Sequence, residues 1–81
     1  MLPMHTLINA IAELTGLTPL LAPGTVRRAL RDAGVDPSTA TADDLLRALP
    51  SLTARLRAFQ SEPEARERAH RIEALLHSWQ R

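Results

Sequence analysis

Six prolines and three glycines cut this chain into short segments, and they exclude any architecture built on long uninterrupted elements. Proline locks φ and has no N–H to donate, so it suits the first turn of a helix and interrupts one elsewhere. Glycine supplies the left-handed residue that closes a helix. Between these breakers the apolar residues recur with a helical period. Met4, Leu7, Ile8, Ile11 and Leu14 follow the i, i+3, i+4, i+7 pattern of one apolar helix face. With Pro3 in its first turn and Gly16 as its stop, a first helix is expected over about 3–15.

Thr18-Pro19 opens only a short turn before Pro23-Gly24 interrupts it. A second helix is expected over about 24–33, capped by Gly24 or Thr25, with Val26, Ala29, Leu30 and Ala33 as its stripe and Gly34 as its end. Arg27 and Arg31 flank that stripe, and Arg28 lies on the far side. Asp36-Pro37-Ser38-Thr39 reads as a turn. Thr41 is a natural N-cap, and Asp43 and Asp44 place negative charge where the helix dipole favours it. Leu45, Leu46 and Leu49 form the face of a third helix over about 42–49, which Pro50 stops or kinks. Leu49, Leu52, Leu56 and Phe59 keep the helical spacing beyond it, giving a fourth helix over about 50–60 or a continuation of the third. Ser61-Glu62-Pro63-Glu64 carries a capping-box pattern. It opens a last helix over about 62–79 with Ala65, Ala69, Ile72, Leu76 and Trp79 as its stripe. Glu62/Arg66, Glu64/Arg68 and Glu67/Arg71 add i, i+4 pairs with the acid on the favourable side.

Composition agrees with this pattern. Apolar residues make up 44% of the chain, too many for a disordered one, and Phe59 and Trp79 are its only aromatics. The expected fold is therefore all-α: one domain over 1–81, a compact bundle of four to five short helices with an aliphatic core and no sheet. A domain of 81 residues buries a modest core, and without cysteine it has no disulfide or thiolate metal site to add stability. Association with another surface is one way to gain that stability.

The same sequence narrows the chemistry. His70, Glu73 and His77 share one side of the last helix, and Glu67-x-x-His70 has the spacing of one half of a di-iron motif. A second such motif and its partner carboxylates are missing, so no metal or other cofactor is expected. There is no cysteine nucleophile and no Gly-x-Ser-x-Gly elbow, and Ser61 is better explained as a cap. An enzyme is not expected. Around Gly24 there is one glycine and no lysine, which is not a phosphate-binding loop. All ten basic residues are arginine and nine acids nearly balance them, so the net charge of +1 argues against a dedicated nucleic-acid binder. The second helix is also followed by a link longer than that of a helix-turn-helix pair, and the next helix opens with two acids. No apolar run is long enough to span a membrane and the N-terminus lacks a signal-peptide pattern, so a cytoplasmic location is expected.

What remains is a small non-catalytic helical module for protein–protein interaction or regulation, self-associating through apolar helix faces. Its partner is another copy or another protein, with Leu7, Ile11, Leu76 and Trp79 as the contact residues. The alternative is a nucleic-acid-binding helical domain that uses Arg27, Arg28 and Arg31.

Overall fold

The computed structural model describes residues 4–79, with side chains from Leu7 onward. Pro3 and the packing of Met4 therefore lie outside the described residues. Four α-helices follow one another: α1 (Met4–Leu14), α2 (Ala22–Asp32), α3 (Ala42–Leu56) and α4 (Glu62–Trp79). Among the described residues there is no strand. The all-α expectation holds, with four helices among the described residues. Each helix packs on the next in sequence, and α4 returns to pack on α1, so the four form a closed ring. Its radius of gyration is 11.3 Å.

The ends of α1 and α2 follow local hydrogen bonding. After α1, the Thr15 hydroxyl donates to the Ala12 carbonyl at 2.6 Å and accepts from the Leu17 N–H at 3.1 Å. Gly16 then turns the chain at φ +79°, a conformation that costs a residue with a Cβ about 1–2 kcal/mol. Helix α2 starts two residues earlier than expected, with Pro23 inside its first turn and no side-chain cap. Thr25 is not the cap: it is buried within the helix and its hydroxyl donates to the Leu21 carbonyl at 2.8 Å. Gly34, at φ +80°, closes α2 as expected.

Helix α3 begins with a reciprocal cap. The Asp44 N–H donates to the Thr41 hydroxyl at 3.1 Å, and the Thr41 N–H donates to the Asp44 carboxylate at 3.0 Å. The helix then continues through Pro50, so the expected helices at 42–49 and 50–60 are one. The reason is register. Leu45, Ala48, Leu52 and Leu56 form one buried stripe on both sides of the proline, while Pro50 itself faces solvent. An interior proline costs about 3 kcal/mol relative to alanine. Burying Leu52 and Leu56 beyond it gains roughly 3–6 kcal/mol, so continuation wins. The helix stops at Leu56, and Phe59 falls in the following turn and does not extend the stripe.

Helix α4 keeps half of its expected cap. The Glu64 N–H donates to Ser61 Oγ at 3.3 Å, but the Glu64 side chain turns toward Arg68, 3.9 Å away. Glu67 and Arg71 pair at 3.8 Å, whereas Glu62 pairs across the turn with Arg57 at 2.7 Å and not with Arg66. These exposed pairs each contribute only a few tenths of a kcal/mol. The core they surround is aliphatic: Leu7, Ile11, Leu30, Leu56, Ile72 and Leu76 are fully buried, with alanines filling the gaps. Two polar links brace the ring. Arg55 grips Asp32 with two hydrogen bonds, 2.6 and 3.0 Å, tying α3 to α2. Gln60 Nε2 donates to the Thr15 carbonyl, tying the α3–α4 turn to the end of α1.

Candidate interaction surface

The apolar residues singled out in the sequence end up inside the molecule. Leu7, Ile11 and Leu76 are fully buried, and Trp79 is half-buried against the same core. The ring of helices brings these stripes together on one another. A partner would reach the first three only by opening the bundle.

Among the described residues three large apolar side chains stay outside: Leu20 at 94% exposure, Phe59 at 54% and Leu21 at 45%. Leu20 and Leu21 lie in a hydrogen-bonded turn in which the Leu21 and Ala22 N–H groups both donate to the Thr18 carbonyl, at 3.0 and 2.9 Å. That turn runs directly into α2. Phe59 lies in the turn after α3, where the Phe59 and Gln60 N–H groups both donate to the Leu56 carbonyl at 2.9 Å. The Gln60–Thr15 bond holds these two connections beside each other. At the same junction the Arg68 guanidinium rests on Gly16, where a Cβ would stand 3.1 Å from Arg68 Cζ. Sequence reasoning did not select these three residues. The available signal was negative: Leu20 and Leu21 sit between two prolines, in a stretch too short to own a helix stripe.

The arginines of α2 occupy the side of that helix opposite the buried Val26, Ala29 and Leu30. Arg28 and Arg31 are exposed and Arg27 is half-buried. Among the described residues none of the three makes an ion pair, whereas Arg47, Arg55, Arg57, Arg68 and Arg71 each face an acid. Gly24 lies between the leucines and the arginines, and a Cβ there would meet nothing within 4 Å. The hydrogen bond from Arg55 holds Asp32 below the usual carboxylate value, and Asp32 in turn raises the Arg55 guanidinium. The Ser38 N–H lowers Asp36, with the charge of Arg31 adding a smaller pull in the same direction. The Thr41 N–H lowers Asp44.

His70, Glu73 and His77 do share one side of α4, with Glu73 3.9 Å from His70 and 3.8 Å from His77. All three stand at the surface, and Glu67 turns instead to Arg71. No group of three or more candidate ligands among the described residues converges as a cation would require. A concavity of about 470 Å³ is lined by Glu62, Pro63, Arg66, Glu67 and His70. All five are exposed and belong to α4, so it is the outer strip of one helix, with no second wall to enclose a substrate. No helix among the described residues is long and apolar enough to cross a membrane. Neither a known protein family, nor a characterised protein, nor a solved structure matches the chain, so the functional reading rests on this geometry.

Proposed function

We propose that this chain is a small, non-catalytic helical interaction module that self-associates through exposed apolar side chains. One observation carries the reading: the helix stripes close on one another, yet Leu20, Leu21 and Phe59 remain outside on two connections pinned together. In this reading the interface lies on these connections and not on Leu7, Ile11 and Leu76, which are buried, with Trp79 as a rim residue. Covering three such side chains gains roughly 4–8 kcal/mol, and association itself costs at least about 4 kcal/mol. The balance is at most about 4 kcal/mol, a weak dimer populated from about millimolar concentration upward.

Sedimentation across that range tests it. The mass should rise above the 8.9 kDa of one chain as concentration increases. Leu20→Ser with Phe59→Ser should return it to one chain without lowering the melting temperature of the dilute chain, because neither side chain supports the core. A mass of one chain at every concentration refutes the reading. A second reading, nucleic-acid binding through Arg27, Arg28 and Arg31, is favoured by their lack of ion pairs and their position on one exposed side. It predicts a mobility shift that weakens steeply with salt and is lost in Arg27→Ala/Arg31→Ala.

A further inference from the structure

We infer that the outer face of α2 is a docking site for an acidic, apolar-anchored segment of a different protein. The inference adds a heterotypic partner to the interaction-module reading and rests on it only in sharing Leu20 and Leu21. In chain order the two exposed leucines lead directly into this face, followed by Gly24 with open space over its backbone and then Arg27, Arg28 and Arg31. The helix is 11 residues long, about 16 Å, which matches three turns of a partner helix. The missing Cβ at Gly24 lets a partner backbone come close midway along it.

Charge complementarity selects the occupant. The chain carries nearly equal numbers of acids and arginines, but most of its acids are already engaged. Asp32 is held by Arg55, Asp44 by Arg47, Glu62 by Arg57, Glu64 by Arg68 and Glu67 by Arg71. Asp36 is tied to Ser38, and Glu73 sits between two histidines. Among the described residues only Glu13 and Asp43 lack such a partner, and they lie on different helices. A second copy therefore has little free negative charge to bring to three arginines on one face. A nucleic-acid backbone supplies the charge but nothing apolar to cover Leu20, which stands 94% exposed at the end of the same face. A protein segment with carboxylates over the arginines and a leucine-like anchor over Leu20 and Leu21 satisfies both ends.

The test uses a labelled helical peptide of about 18 residues, leucine at every third or fourth position and glutamate elsewhere. Its control carries glutamine for each glutamate, and binding is read by fluorescence anisotropy at low and physiological salt. The acidic peptide should bind the whole chain, and more weakly as salt rises. The glutamine peptide should bind at least tenfold more weakly. Three exposed pairs at about two- to threefold each predict a loss of roughly tenfold or more in Arg27→Gln/Arg28→Gln/Arg31→Gln. Arg66→Gln, which removes an exposed arginine from α4, should leave binding unchanged. The variants keep their core, and their melting curves verify this. Equal binding of the two peptides, an undiminished affinity in the triple variant, or no binding at all overturns the inference. So does tighter binding of a DNA duplex or of phosphatidylserine vesicles that displaces the peptide. Self-association is read separately from the mass of the unliganded chain, so failure of the dimer and failure of the acidic docking site are told apart.

Discussion

Replacing Pro50 with alanine should make this protein more stable, and the size of the gain follows from the geometry of α3. Pro50 lies inside a continuous helix of 15 residues, with buried stripe residues before and after it. It has no N–H to donate to the Leu46 carbonyl, and its ring crowds that same turn. Alanine restores the bond and removes the crowding, a difference of about 3 kcal/mol in a helix interior. The freer unfolded chain of the variant returns roughly 0.5–1 kcal/mol, leaving a net gain of about 2 kcal/mol. Because Pro50 faces solvent, no core contact changes. Thermal melting followed by circular dichroism should therefore show a rise of about 8–16 °C for a domain of this size. Pro63→Ala is the control: Pro63 occupies the first turn of α4, where its missing N–H has no partner to lose, and the expected change is within about 0.5 kcal/mol. The alternative organisation, two helices meeting at Pro50, gives the opposite answer. There Pro50 would open the second helix and be as harmless as Pro63. An unchanged or lowered melting temperature in Pro50→Ala would refute the argument that apolar register carries α3 across the proline.

Two further outcomes test the core and its electrostatic braces. Leu56 is fully buried where α3 meets the rest of the ring, so Leu56→Ala should cost about 2–5 kcal/mol in urea unfolding, a large part of the stability of a small domain. A cost under about 1 kcal/mol would mean that Leu56 is not in a packed core. For Asp32, the hydrogen bond from Arg55 lowers the native value below the ordinary 3.8, so the carboxylate binds its proton less readily folded than unfolded. Its contribution is present above that ordinary value and is lost as pH falls through the lower native one, so the loss begins below about pH 4. Urea unfolding measured from neutral pH downward should show a shallower acid decline in Asp32→Asn. An identical decline would show that the Arg55 link does not persist in solution.

Periodicity made the fold legible wherever a stripe and a terminator agreed. The apolar spacing from Leu7 to Leu14 with Gly16 gave α1, and Ser61 with the stripe through Ile72 and Leu76 gave α4. Where two local rules conflicted, the outcome was set by tertiary packing. Proline propensity argued for a break at Pro50 and register argued against it, and only the buried stripe of α3 against its neighbours decides between them. Thr25 shows the same limit in reverse. A threonine beside glycine reads as a cap, but Ala22 is buried on the ring and draws the helix start back past Pro23, which leaves Thr25 inside and bonded to Leu21.

The candidate surface was hidden for a deeper reason. A helix stripe records which side of a helix avoids water; it does not record what covers that side. Leu7, Ile11 and Leu76 satisfy both readings until the ring of four helices closes and leaves them no solvent. Leu20 and Leu21 belong to no stripe and carry no periodic signal, and Phe59 keeps the helical spacing of α3 but falls beyond its end, yet these are the ones a partner can touch. Charge behaves alike. Summed over the chain, the arginines and acids nearly cancel, and the sum points away from any charged partner. Pairing distributes that cancellation unevenly, because most acids are paired along α3, α4 and their turns while Arg27, Arg28 and Arg31 make no ion pair among the described residues. An approaching molecule meets this local remainder and not the total. That is why a chain of net charge +1 can still present an arginine face to an acidic segment.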